Sequence, residues 1–306
     1  STIFLCVIFE GAAGVINFYF FSSQTILLNA DGRGYVNELT NLVGKTASYV
    51  VKIILALTGV SIVLIQFGSF VISLSKMLFY NIYMEKNYPW VDYKISTNKA
   101  KKLPDRNAFI VSELAWTLFS STDAIVLSVF CSTKMASVYS INNMAFVAIN
   151  SLVSAAYFGI RYILGKAYHE GIDAYRCVHD SFNAVFMGII TALMGVSVLM
   201  LDSFIVLYTD GVQDIKYSYF WLPVLFCLIQ MLSWSRYVSG NLTGIAGYAK
   251  QVSKISLAEA GINVVLSVVF VNIWGIYGVV LATVVALPIK VLYTNYISDK
   301  FVMRRS

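Results

Sequence analysis

Apolar runs of about twenty residues or more recur along the chain, separated by short polar stretches. A bilayer core about 30 Å thick takes roughly 20 apolar residues of helix. A membrane barrel would instead show segments of roughly 10 residues in strict alternation, and the sequence lacks that pattern. The runs predict nine spans, at approximately 3–28, 36–57, 60–83, 108–130, 136–164, 181–208, 217–243, 255–273 and 276–297. The last two form one apolar stretch, divided at Asn272-Ile273-Trp274-Gly275-Ile276-Tyr277-Gly278 because glycines suit a tight turn. The predicted fold class is an all-α, polytopic transmembrane helix bundle.

The only long connection is a basic linker over 85–107, containing Pro89 and Pro104. It separates three spans (1–84) from six (108–306), the second group having the look of a complete half. Lysine and arginine mark the cytoplasmic side of a multi-pass protein. Lys86, Lys94, Lys99, Lys101, Lys102 and Arg106 follow the third span, and Lys166 and Arg176 the fifth. Lys250 and Lys254 follow the seventh, Lys300, Arg304 and Arg305 the ninth, and Arg33 the first. Thr58-Gly59 is uncharged, Ser132-Thr133-Lys134 carries one charge, and Thr209 to Lys216 is net acidic. This alternation predicts that Ser1 starts outside and the C-terminus lies in the cytoplasm. A complete protein that begins in the cytoplasm would then have an odd number of further spans ahead of Ser1. The first run is not read as a signal peptide, being too long and carrying Glu10, Asn17 and Gln24.

Composition agrees with a membrane protein: 58% of residues are hydrophobic and 12% charged, with a mean hydropathy of +0.73, whereas soluble domains run near a quarter charged. The basic balance, a pI near 9.0, points to a membrane surface and not to nucleic acid. Cys6, Cys131, Cys177 and Cys227 lie far apart without disulfide or metal-ligand spacing. His169 and His179 fall in one predicted loop and do not suggest a metal site. No nucleophile–base pair, phosphate loop or haem motif appears, so no enzyme, resident metal or cofactor is expected. Asn241-Leu242-Thr243 matches a glycosylation acceptor but falls at a cytoplasmic helix end; glycines at 240, 244 and 247 suit a bend or a close helix contact.

Polar groups inside the spans carry the candidate chemistry, since an intramembrane charge needs a partner or a wet surface. Glu10, Asn17 and Gln24 recur every seven residues in the first span, as do Glu38, Lys45 and Lys52 in the second, so each set keeps to one helix face. Two readings stand: a cavity wall whose lysines attract an anionic cargo, or an interhelical ion pair such as Glu10 with Lys52. Arg161, Lys166 and Arg236 lie near cytoplasmic ends, either snorkelling into headgroups or capturing a diphosphate at the inward mouth. Asp123 lies about 13 Å and Thr283 about 10 Å from the outer side. On depth alone Asp123, Asn263 and Thr283 converge, offering hard oxygen ligands for Na⁺ or a protonatable group. Glu259 is either a further member of that set or the partner of Lys290, which lies at similar height. Glu113 is either a cation-site residue or a structural hydrogen-bonding group.

Several stretches together resemble a known family. They are Leu27-Leu28-Asn29-Ala30-Asp31-Gly32-Arg33-Gly34-Tyr35, Ser121-Thr122-Asp123-Ala124-Ile125-Val126-Leu127-Ser128 and Ala136-Ser137-Val138-Tyr139-Ser140. Gly244-Ile245-Ala246-Gly247-Tyr248-Ala249-Lys250-Gln251, Glu259-Ala260-Gly261-Ile262-Asn263-Val264-Val265-Leu266-Ser267 and Gly275-Ile276-Tyr277-Gly278-Val279 follow. In this order and spacing the chain resembles the polysaccharide repeat-unit flippases (Wzx-type) of the multidrug/oligosaccharidyl-lipid/polysaccharide exporter superfamily. The resemblance implies two six-helix lobes in a V, of which this chain would hold the last three spans of the first and all six of the second. It implies a bacterial plasma-membrane protein that moves an undecaprenyl-diphosphate-linked oligosaccharide from the inner to the outer leaflet by alternating access. Na⁺ or H⁺ would be the coupling ion, and polysaccharide polymerase machinery and membrane lipids the partners. Related lipid-diphosphate flippases use an acidic residue of the corresponding span with polar groups of the last two, which carries the cation role over to Asp123, Asn263 and Thr283. A drug/cation antiporter of the same superfamily and a non-transporting scaffold for glycan assembly are the alternatives. If the lysine stripe is a cavity wall, Lys45→Ala abolishes glycan export while the protein still inserts; full export by that variant, measured as surface polysaccharide, sinks the reading.

Overall fold

The apolar runs fold as helices, and no strand occurs among the described residues. The computed structural model describes residues 2–16, 21–91, 106–212 and 214–305. The chain divides into two compact units, Ser1–Lys101 and Lys102–Ser306, and the division falls inside the basic stretch 85–107.

The first unit contains α1 (Thr2–Ile16), α2 (Ser22–Ala30), α3 (Gly34–Leu57) and α4 (Ile62–Asn87). α4 packs against α1 and α3, and its most apolar stretch has no buried residue, as expected of a helix turned toward lipid. A small core of Phe21, Leu28, Val36, Tyr80, Met84 and Tyr88 holds one end together. Within it the Tyr80 hydroxyl donates to Asn37 Oδ1 at 2.6 Å and the Thr25 hydroxyl to the same oxygen at 3.1 Å. Beyond α4, the Tyr88 hydroxyl donates to Asp31 Oδ2 at 2.7 Å. Burial and this carboxylate push the phenol up to about 12.

The second unit contains α5 (Arg106–Phe130), α6 (Thr133–Glu170), α7 (Ile172–Tyr208), α8 (Leu222–Trp234), α9 (Tyr237–Ile245), α10 (Ala249–Trp274) and α11 (Ile276–Ile297), followed by a π-helical turn at Ser298–Val302. α10 packs against both α5 and α11, α6 pairs with α7, and α8 lies against α7 and α11. Ala115, Ala260 and Ala286 are buried where α5, α10 and α11 meet; small side chains allow such close approach where lipid gives no hydrophobic drive between helices. Aromatics fill the wider gap, with Phe146, Phe186, Phe226 and Trp234 in the main core. Two hairpins turn on one glycine each. Gly171 alone joins α6 to α7 at φ 147°, and Gly275 joins α10 to α11 at φ 57°, a region that glycine enters without steric cost. His169 and His179, expected in a loop, therefore lie in α6 and α7. The tail folds back on α7: Arg176 donates to the carbonyls of Met303 and Arg304, and Arg305 pairs with Asp180 at 2.5 Å.

Among the described residues six helices are long and apolar enough to cross a membrane: α4, α5, α6, α7, α10, and α11 with its π turn. The chain is thus a multi-pass helical membrane protein, but the nine uninterrupted spans expected from sequence are corrected. The first run forms two short helices, α1 and α2, on either side of residues 17–20, which lie outside the described residues. The seventh breaks at Ser235–Arg236 into α8 and α9, of 13 and 9 residues, each too short to span alone. α3 has the length, but Glu38, Lys45 and Lys52 leave it less apolar than the six.

The Gly275 hairpin also depends on Gly278, where an added Cβ would overlap the Phe270 carbonyl oxygen. Gly278→Ala must therefore push α10 and α11 apart, at about 1–3 kcal/mol for overpacking, and lowers the unfolding midpoint in detergent. Gly261→Ala on α10, with open space at its Cβ, serves as the control and leaves the midpoint unchanged or higher.

Candidate functional site

Asp123 lies on α5, and the turn at Cys131–Ser132 returns the chain as α6 so that Tyr139 comes back beside it. The Ser132 side chain caps α6 by accepting from the Met135 amide. The Tyr139 hydroxyl donates to Asp123 Oδ2 at 3.1 Å. From α11 the Thr283 hydroxyl lies 3.0 Å from each Asp123 oxygen and donates to them. Asn263 on α10 completes the chain, its Nδ2 donating to Thr283 Oγ1 at 2.8 Å. Asp123, Asn263 and Thr283 are all buried. Among the described residues Asp123 meets hydroxyls and no cationic side chain, so its charge, if present, is uncompensated by protein. Asn263 Oδ1 and Ser267 Oγ, a turn further along α10, are buried without hydrogen-bond partners.

The cluster borders a cavity of about 310 Å³ lined by Asp123, Tyr139 and Thr283 and continuing past Asn150 and Gln230 to Trp234. Asn150 donates to Gln230 Oε1 at 2.6 Å and accepts from the Trp234 indole at 2.9 Å. The Asp123 carboxylate with the Tyr139 and Thr283 hydroxyls forms a hard oxygen donor set at one buried point, suited to Na⁺ or to a proton held on Asp123. Burying an unpaired carboxylate is costly enough that one or the other must neutralise it.

The two cation-site candidates beyond this trio lie elsewhere. Glu113 is exposed, well before Asp123 on the same helix, and takes no part in the cluster. Glu259 is buried with Arg236 Nη1 and Lys290 Nζ, each at 3.5 Å. The Lys290 pairing weighed from sequence is present with a second cation added. Arg236 does not snorkel: the α8–α9 break turns it inward, its side chain 8% exposed. Arg161 is exposed and lines a second cavity.

The lysine stripe lies in the first unit. Lys45 is exposed and Lys52 half-buried. No Glu10–Lys52 pair forms among the described residues; Glu10 instead accepts from Gln66 at 2.9 Å. Gln24 is buried and donates to Asn81 at 3.3 Å, and Asn17 falls outside the described residues. Sequence reasoning missed Lys76 on α4, whose stem lies across Gly44 of α3 in the place a Cβ would take; a glycine one position before Lys45 was the available signal. It also missed Tyr139, which counting outward from the Cys131–Ser132 turn would have set level with Asp123.

No family model, no curated protein and no solved structure matches the chain.

Thr283→Val removes the hydroxyl that donates to Asp123 and accepts from Asn263 while keeping the volume. It lowers stability by about 1–3 kcal/mol through the stranded buried partners, read as unfolding in detergent. Ser128→Ala, whose exposed hydroxyl bonds only its own helix, is close to neutral.

Proposed function

We propose that the chain works as part of a cation-coupled flippase carrying undecaprenyl-diphosphate-linked polysaccharide repeat units from the inner to the outer leaflet of a bacterial plasma membrane. The observation that supports this best is the meeting of Asp123, Thr283 and Asn263. A buried acid with no cationic side chain beside it among the described residues takes a proton or a cation to be neutral, and it sits where three membrane helices touch. A bound Na⁺ or proton ties α5, α10 and α11 together; an empty site leaves an uncompensated charge that favours their separation. Coupling follows if the two arrangements differ in affinity for the ion, since a ligand shifts an equilibrium only by that difference.

The cargo reading rests on the resemblance in sequence and on charge. Lys45, Lys52 and Lys76 in the first unit, and Arg161 in the second, attract a diphosphate and disfavour a cationic drug as cargo. The orientation follows from the lysine and arginine alternation, with the Gly171 end of the bundle in the cytoplasm. Membrane lipids and glycan-polymerising enzymes are the expected partners.

The test is complementation in a bacterium lacking its own repeat-unit flippase, using the protein that carries this chain and a matched glycan. The parent protein restores surface polysaccharide in a Na⁺- or H⁺-dependent manner. Asp123→Asn, inserted at equal level, loses export by about tenfold or more, the size of an ordinary coupling energy. Undiminished, ion-dependent export by Asp123→Asn defeats the proposal.

A further inference from the structure

The second cavity, of about 380 Å³, lies toward the Gly171 end of the second unit, between α6, α9 and α11. Arg161, Arg236 and Lys290 line it, and among the described residues no carboxylate does. Glu259 stands behind Arg236 and Lys290, so it offsets one of the three cations and leaves two positive charges facing the space. The pairing is incomplete in another respect. Arg236 Nη1 and Glu259 Oε1 are both buried, and neither makes a hydrogen bond. At 3.5 Å the two attract without the donor–acceptor contact that makes a buried pair favourable.

Two neutral groups on the same wall are also unpaired. Asn241, on α9 and 8% exposed, has neither its Nδ2 nor its Oδ1 hydrogen-bonded, and Thr294 Oγ1, on α11 and 2% exposed, has no partner. Buried amides and hydroxyls are nearly always satisfied. Here the orphans gather with excess cations around one cavity, from elements distant in sequence. Water can meet the hydrogen bonds but not the charge.

We propose that this cavity is a binding site for a phosphate group that carries or adjoins a hydroxyl. Arg236, Lys290 and Asn241 Nδ2 donate to the phosphate oxygens, and Arg161 stands at the exposed edge. Asn241 Oδ1, which an anion cannot satisfy, accepts from the ligand hydroxyl, and Thr294 serves either part. Glu259 is the built-in counterion of the site, its Oε1 3.5 Å from Arg236 Nη1 without a hydrogen bond, so an entering phosphate competes with it for Arg236 and Lys290. The site rests on the geometry of this cavity and stands whether or not the chain is a flippase.

Two sources share this chemistry, free hydrogen phosphate and the headgroup of a hydroxyl-bearing phospholipid such as phosphatidylglycerol. The whole chain is titrated with inorganic phosphate in neutral detergent, by calorimetry and by thermal unfolding. The unfolding is repeated in phosphatidylcholine vesicles with and without phosphatidylglycerol. Asn241→Leu, which removes both orphan atoms at similar volume, weakens binding about tenfold without lowering the ligand-free midpoint. Glu259→Gln frees both cations: it lowers the ligand-free midpoint and binds about tenfold tighter, so the anion restores its stability. Where Glu259→Gln does not fold, Thr294→Val takes its place and weakens binding. Response to inorganic phosphate assigns the free anion, and response to phosphatidylglycerol vesicles alone assigns the headgroup. Equal affinity of parent and variants for both probes, or no response to either, overturns the site and leaves a water-filled cavity.

Discussion

Asp123 must be accommodated among three packed helices with hydroxyl groups as its only partners among the described residues, and that requirement explains much of the second unit. Thr283 and Asn263 are placed so that one hydroxyl bridges an acid and an amide, drawing α11 and α10 onto α5 at the same height. Alanines at the neighbouring contact, Ala115, Ala260 and Ala286, let the helices come close enough for these bonds to form. A larger side chain at any of them would open the space that the hydrogen bonds close.

A turn away on α10, Glu259 solves the opposite problem. It is as deeply buried as Asp123, yet it has two cations where Asp123 has none. One rigid helix thus carries, on adjacent turns, a site short of positive charge and a site short of negative charge. The two cavities share Trp116, Ser154, Trp234 and Tyr237 in their walls, so they are immediate neighbours within the second unit.

Helices were readable from sequence because a bilayer demands long apolar runs, and the trio of Asp123, Asn263 and Thr283 was readable because depth follows from counting residues along a helix. The α8–α9 break was not. Hydropathy sums over a window, and a two-residue interruption at Ser235–Arg236 barely changes the sum. Arg236 read from sequence as either a snorkelling or a phosphate-binding residue, and its burial beside Glu259, supplied by another helix, was not legible. The same holds for Glu10, whose partner is an amide on α4 in place of the lysine that the stripes suggested. What sequence pattern could not supply was lateral neighbourhood, the angle around each helix at which a polar group finds another.

The hairpin of α6 and α7 is longer than a bilayer is thick. At 38 and 37 residues the two helices run about 55 Å each, against about 40–45 Å for a membrane with its headgroups. A pair of this length crosses the bilayer tilted or extends beyond it, and the tail is fastened at its Gly171 end, with Arg305 on Asp180 and Met303 and Arg304 under Arg176. α11 is consequently tied at both ends, to α10 through Gly275 and to α7 through the tail, so any shift of α11 has to be taken up at one tie or the other.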